Sequence, residues 1–167
     1  DLVEVINEVT EKEIDDLVEV YKEKYTIATD NTDSIRYQAK LEIAMKKMLD
    51  SEGCGAFTNT FEDLHGMEQL PGLATQRLME AGYGYGGEGD WKVSAMTHIM
   101  KKMSEGLEGG TTFMEDYTYD LTKGRELSLG AHMLEVCPTV AVDKPSIEVH
   151  SLGIGGKKAP ARFVFDG

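Results

Sequence analysis

Two glutamates and one histidine stand where their side chains could do chemistry. Glu88 lies in the glycine-rich stretch GYGYGGEGDWK (82–92), whose small residues let backbone and ligand approach closely. Glu115 lies in TTFMEDYTY (111–119), a predicted strand whose alternate side chains face an interior. A carboxylate there must be paired, metal-bound or protonated. His132 lies in the mostly apolar run LGAHMLEVCP (129–138).

These three donors suit a hard divalent cation. Carboxylate oxygens with one imidazole favour Mn²⁺, Mg²⁺ or Fe²⁺ over a soft metal. The separations, 27 and 17 residues, are not a metal signature, and the sequence has no H-E-x-x-H or C-x-x-C. Two alternatives remain open. Glu88 and Glu115 could be the acid and base of a metal-free sugar hydrolase. The chain could also be a non-enzymatic acidic metal-binding or interaction domain, and taken singly the two glutamates could be solvated carboxylates and His132 a core histidine.

The glycine-rich stretch also contains G-x-G-x-x-G, at Gly82, Gly84 and Gly87. Phosphate binding is disfavoured there, because Glu88 and Asp90 follow where the anion would sit. A second glycine-rich stretch, SLGIGGKKAP (151–160), lacks the first glycine and the Ser or Thr of a phosphate-binding loop. Neither stretch predicts a nucleotide site.

The composition limits the classes of partner that the protein could bind and indicates its cellular compartment. The 167 residues include 30 acidic and 17 basic side chains, a net charge of −13, which disfavours nucleic acid and anionic membranes as partners. No apolar run approaches the roughly 18 residues of a membrane span. Two cysteines do not make a disulfide framework, so both are expected to be buried free thiols of a cytoplasmic protein.

Helical and strand patterns place the donors on an α/β fold. Helices are predicted at 10–25 behind the capping box Thr10-x-x-Glu13, from the polar break at 30–34 to Gly53, at 71–81, and at 91–104 behind Asp90. The predicted buried face of the last helix consists of Val93, Met96, Ile99, Met100 and Met103. After Gly110 the sequence is β-rich, with strands in 111–121, 125–142, 146–154 and 161–167 and a turn at 122–124. We therefore expect a parallel-sheet, Rossmann-like portion with flanking helices (1–110) running into a β-rich C-terminal portion (111–167).

Long stretches of the chain resemble L-arabinose isomerase. The resemblance is carried by FTNTFEDLHGMEQLPGLATQRLMEAGYGYGGEGDWK, GGTTFMEDYTYDL and LGAHMLEVCP, in the family's order and spacing. It covers roughly residues 50–167 and implies an aldose–ketose isomerase that interconverts L-arabinose and L-ribulose, and often D-galactose and D-tagatose.

The resemblance also implies roles for individual residues. The family's metal ligands fall on Glu88, Glu115 and His132, and the metal is usually Mn²⁺, with Co²⁺ or Mg²⁺ as substitutes. Glu88 and Glu115 are the implied proton-transfer groups, and the metal would polarise the C1 and C2 oxygens and stabilise a cis-enediol. Sugar-lining residues of the family fall on Phe61, Tyr117, Met133 and Leu152.

Family members are about three times longer than this chain and assemble as tetramers or hexamers. A further metal-binding histidine, and the part that completes a neighbouring subunit's pocket, fall outside this sequence. We therefore expect a central segment of an isomerase that has little or no activity alone.

Overall fold

Helices and strands alternate through the first two thirds of the computed structural model, which describes residues 1–153 and 156–166. Ile154 and Gly167, the last residues of two predicted strands, lie outside the described residues. The helices are α1 Leu2–Glu8, α2 Glu11–Lys24, α3 Thr32–Ser51, α4 Gly72–Glu80, α5 Trp91–Met103 and a 3₁₀ turn, Pro138–Val140. The strands are β1 Thr26–Ile27, β2 Ala56–Asn59, β3 Gly84–Gly87, β4 Glu115–Asp120, β5 Leu127–Ala131, β6 Ser146–Val149 and β7 Ala161–Val164.

The predicted helix starts are confirmed by their caps. Thr10 accepts from the backbone N–H of Glu13 at 3.3 Å, and the Glu13 carboxylate accepts from the N–H of Thr10 at 2.8 Å, which closes the capping box of α2. Asp90 accepts from the N–H groups of Lys92 and Val93 at 3.0 and 2.9 Å. Each cap satisfies backbone donors that the first helical turn leaves unpaired.

The strands form both parallel and antiparallel pairs. β2 and β3 are parallel and adjacent, with α5 packed against them. β4 and β5 form an antiparallel hairpin whose turn includes Lys123 and Gly124. β6 pairs in parallel with β1 and antiparallel with β7. The predicted class, a parallel α/β portion running into antiparallel strands, is confirmed.

The main hydrophobic core joins the two ends of the chain. Its buried members include Tyr21, Leu41 and Leu73 from the helices and Ile147 and Phe163 from the last strands. The rings of Tyr25 and Phe163 lie 4.4 Å apart between centroids. β6 and β7 therefore complete the core of the helical layer.

The predicted buried face of α5 is wrong. Val93, Met96, Ile99, Met100 and Met103 are exposed, with Met96 at 55% and Met103 at 70%. The inward face carries Ser94, Thr97 and Lys101 instead.

The glycines of β3 cause this rotation of α5. A Cβ at Gly84 would lie 2.2 Å from the carbonyl oxygen of Ser94, and one at Gly86 would lie 2.5 Å from that of Asp90. Because the glycines leave β3 without side chains on this side, α5 packs against the strand through its small residues Ser94 and Thr97. The larger apolar side chains consequently face outward.

Two further expectations need correction. Cys54 is exposed, because it lies in the turn after α3, whereas Cys137 is a buried free thiol as predicted. β4 does not alternate between buried and exposed, since its four middle residues are all exposed in a two-stranded ribbon. Among the described residues, no helix is both long and apolar enough to cross a membrane.

Candidate functional site

One cavity of about 230 Å³ collects all the predicted site residues. It opens at the carboxyl ends of β2 and β3, beside the start of β4 and the end of β5. This edge of a parallel sheet is where α/β proteins bind ligands. The predicted residues in its wall are Phe61, Glu88, Glu115, Tyr117, His132, Met133 and Leu152. The wall also includes Asn59, Tyr85 and Glu135, which the sequence did not single out.

Glu88 has a strained backbone. Its φ is +55°, and it is the one non-glycine residue with positive φ in the described part of the chain. Only a few per cent of non-glycine residues adopt this conformation, and such strain of about 1–3 kcal/mol concentrates at functional sites. The strand–helix turn thus holds a carboxylate at the cavity mouth, directly after the close-packed β3.

Glu115 and His132 are neighbours across the β4–β5 hairpin. Glu115 pairs with Ala131, so His132 follows directly beside it. The distance from His132 Nε2 to Glu115 Oε2 is 3.6 Å. The Glu115 side chain is 39% exposed, so it faces the cavity rather than the protein interior that the strand pattern predicted. Gly87 allows β3 to pack closely on Phe113 here, because a Cβ at that position would lie 3.1 Å from the Phe113 ring.

Glu135 orients His132. The Nδ1–H of His132 donates to Glu135 Oε2 at 2.5 Å, and the same oxygen accepts from the backbone N–H of Leu134 at 3.2 Å. Glu135 is buried. A carboxylate on Nδ1 fixes the tautomer in which Nε2 is the free ligand or base, as in carboxylate–histidine–metal sites.

Opposing influences act on the pKa of His132. Burial lowers it, but the hydrogen bond to Glu135 and the charges of Glu135, Glu115 and Glu88 outweigh burial and raise it above its ordinary value. Three carboxylates therefore act on one imidazole. The cavity has a negative potential suited to a cation.

A row of aromatic rings supports the cavity from the core. Phe57 and Tyr85 lie 5.2 Å apart between centroids, Tyr85 and Phe113 5.1 Å, and Phe113 and His132 4.9 Å. Burial, followed by the charges of Glu135, Glu115 and Glu88, raises the pKa of Tyr85. The phenol is therefore neutral and remains a hydrogen-bond donor at physiological pH.

The donor set fits a hard divalent cation in type. Two carboxylates and an imidazole in one cavity, the imidazole backed by a third carboxylate, are ligands that Mn²⁺ and Mg²⁺ accept. In the part of the chain that the structure describes, no three such side chains lie close enough together to hold an ion. Glu88, Glu115 and His132 would have to move toward each other to complete a three-ligand site.

Comparison with known proteins identifies the family. A model of the L-arabinose isomerase central domain matches residues 1–106, and a model of the L-arabinose isomerase C-terminal domain matches residues 110–167. The chain belongs to the L-arabinose isomerase family. The L-arabinose isomerase of Thermotoga neapolitana is 58% identical over 169 residues, which is all of this chain and 34% of that protein. The L-arabinose isomerase of Salmonella typhimurium is 53% identical over 173 residues, covering 99% of this chain and 35% of that protein. The chain spans about a third of the length of these relatives.

The resemblance drawn from the sequence is thus confirmed, while the roles of individual residues stay predictions. Little in the sequence indicated that Asn59, Tyr85 and Glu135 would line the cavity. Glu135 is three residues beyond His132 with no helix to pair them, and Asn59 and Tyr85 meet only once β2 and β3 are aligned.

Proposed function

We propose that this chain carries the metal- and sugar-binding core of an L-arabinose isomerase, which interconverts L-arabinose and L-ribulose and accepts D-galactose to give D-tagatose. One observation supports this above all. Seven residues assigned from the resemblance line one cavity, although they are distributed between positions 61 and 152 of the chain. Solvated carboxylates with no shared role would not be expected to converge in this way.

The reaction moves a proton between C1 and C2 of the open-chain sugar and another between the two oxygens. Glu88 and Glu115 are the carboxylates we assign to these transfers, because each lines the cavity and can accept and return a proton. Glu135 holds His132 so that Nε2 is directed to the same space. Mn²⁺, or Co²⁺ or Mg²⁺ in its place, would be held by Glu88, Glu115 and His132 and would supply Lewis-acid polarisation of the two reacting oxygens.

The remaining walls bind the rest of the sugar. Phe61, Tyr117, Met133 and Leu152 provide aromatic and aliphatic surface that packs against C–H groups and limits access of water. We further propose that the whole enzyme is a cytoplasmic homotetramer or homohexamer. The two free cysteines are consistent with a reducing compartment.

Charge removal at the two carboxylates tests the proposal. In the full-length isomerase that contains this segment, Glu88→Gln and Glu115→Gln should each lower kcat by about 100-fold or more, because general acid–base groups contribute on that scale. Glu108→Gln, an exposed carboxylate in the loop after α5, is the matched control and should leave turnover unchanged. Ketose formation is measured with and without EDTA.

Two outcomes would reject the assignment. Unchanged isomerisation in both variants would indicate that this segment is a non-enzymatic acidic metal-binding or interaction domain within the longer protein. Sugar hydrolysis that survives chelation would support the metal-free hydrolase pair. The isolated 167-residue chain should bind Mn²⁺ weakly in calorimetry and show little turnover, since it supplies three ligands only.

A further inference from the structure

Asn59 lies at the point where the two parallel strands reach the cavity. It is the last residue of β2 and pairs with Gly87, the residue before Glu88. Its side chain lines the same cavity as Glu88 and Glu115. None of the roles assigned above uses it.

Tyr85 fixes the orientation of the Asn59 amide. The Tyr85 hydroxyl donates to Asn59 Oδ1 at 3.1 Å. The Tyr85 ring is buried and held between Phe57 and Phe113. Because Oδ1 accepts this bond, the two N–H donors of Nδ2 are directed away from the ring, and no hydrogen bond joins Nδ2 to a residue that the structure describes.

The cavity offers a sugar few side-chain hydrogen-bond donors besides Asn59, chiefly the hydroxyl of the half-exposed Tyr117. Glu88, Glu115 and Glu135 only accept hydrogen bonds when ionised, and His132 gives its Nδ1–H to Glu135. Each sugar hydroxyl donates one hydrogen bond and accepts others. A cavity rich in acceptors therefore needs a donor to match the oxygens, and Asn59 supplies two N–H groups.

We propose that Asn59 is a substrate-binding residue whose amide N–H donates to a hydroxyl oxygen on C3, C4 or C5 of the sugar, and that Tyr85 is a positioning residue that fixes the amide. The oxygens on C1 and C2 are taken by Glu88, Glu115 and His132, which leaves the distal hydroxyls for recognition. This inference rests on the proposed isomerase function.

The test uses the full-length isomerase and two substitutions that remove the N–H groups differently. Asn59→Asp still accepts from Tyr85 but adds charge, and Asn59→Leu is similar in size and uncharged. Both should raise KM for L-arabinose about tenfold, the scale of one lost hydrogen bond, while kcat changes less. Tyr85→Phe should raise KM about threefold, because the amide stays but can rotate. Asn7→Asp, on the exposed face of α1, is the control and should leave KM unchanged.

Deoxy sugars identify the contact. The wild-type enzyme should lose affinity for arabinose analogues lacking the hydroxyl at C3, C4 or C5, and in Asn59→Leu the penalty at one of these positions should disappear. A merely structural Asn59 would lower Tm in the variants and leave all three penalties in place, which would overturn the proposal. If Asn59→Leu does not fold, Tyr85→Phe serves in its place, and an unaltered KM with unaltered deoxy penalties in that variant overturns the proposal equally.

Failure of this inference is separable from failure of the proposed function. If Glu88→Gln and Glu115→Gln abolish isomerisation while the Asn59 variants keep wild-type KM, the isomerase assignment stands and the role of Asn59 is wrong. If the carboxylate variants remain fully active, the isomerase site itself is misassigned.

Discussion

At the scale of single residues, the chemistry of the cavity depends on how Glu135 acts on His132. Burial alone would keep the imidazole neutral, and the surrounding carboxylates reverse that tendency. The nearest of them, Glu135, acts through both a hydrogen bond and its charge. The basicity of Nε2, and thus its strength as the metal ligand that we propose, is set by a residue on the far side of the ring.

Neutralising Glu135 should lower the pKa of His132. Glu135→Gln keeps an oxygen that accepts hydrogen bonds from His132 Nδ1 and from the backbone N–H of Leu134, but it removes the negative charge. The lowering of the pKa by burial is then opposed less strongly, so the imidazole loses its proton at lower pH. The titration of the His132 ring protons by NMR in metal-free protein measures this. Glu108→Gln, which neutralises an exposed carboxylate in the loop after α5, is the control and should leave the His132 titration unchanged. An unchanged His132 titration would show that Glu135 acts only as a packing partner.

At the scale of elements, the packing of α5 on β3 determines the shape of the site. The turn between them carries Glu88, and the close approach depends on the absence of side chains at Gly84 and Gly86. The contacts involve backbone atoms of the helix, which cannot move aside as a flexible side chain can. Of the glycines that resembled a phosphate loop, Gly84 thus serves helix–strand packing, together with Gly86, which is not part of that pattern.

Alanine at Gly84 should destabilise the fold strongly. The added Cβ would overlap the Ser94 carbonyl, and overpacking of this kind typically costs about 1–3 kcal/mol or more. Gly153→Ala is the control, because a Cβ there meets no atom of a described residue within 4 Å and its φ is not positive. Its effect should stay within about 0.5 kcal/mol. Equilibrium urea unfolding measures both, and equal stabilities for the two variants would contradict the packing described for β3.

This packing also explains which features could be predicted from the sequence. The limits of α5 could be predicted from its Asp90 cap and its apolar spacing. Its inward face could not, because that face depends on the absence of side chains on β3, a different element. Glu88, Glu115 and His132 could be singled out as candidate donors from their local sequence, and the long stretches shared with a family implied their roles. Asn59 was missed, because its partner Tyr85 becomes adjacent only through the register of β2 and β3. Local patterns predict elements, and contacts between elements require the fold.

At the scale of the whole molecule, the two matched family regions share one core. The boundary between the family models falls at residues 106–110, yet Phe163 from the second region packs on Tyr25 of the first. β1 likewise pairs with β6 across the same boundary. The helical layer is therefore stabilised by strands that come more than 100 residues later.

Truncating Phe163 should destabilise both regions together. Phe163→Ala removes a ring that is 4% exposed, and such changes cost about 3–5 kcal/mol. The control is Val164→Ala, on the outer face of the same strand, where the side chain is 37% exposed and the cost should be below about 1 kcal/mol. Unfolding followed by far-UV circular dichroism and by tyrosine fluorescence should give one coincident transition. Two separate transitions, with the helices unaffected by Phe163→Ala, would show that the regions fold independently.

The left-handed backbone of Glu88 has a consequence for directed evolution of this protein. Glycine would occupy that conformation without steric strain, so replacing Glu88 by glycine would relax the turn while deleting the carboxylate. A library screened for heat resistance alone would be enriched in such variants, and it would lose the carboxylate that we propose for proton transfer as it gained stability. Screens for a more durable protein should therefore hold position 88 constant.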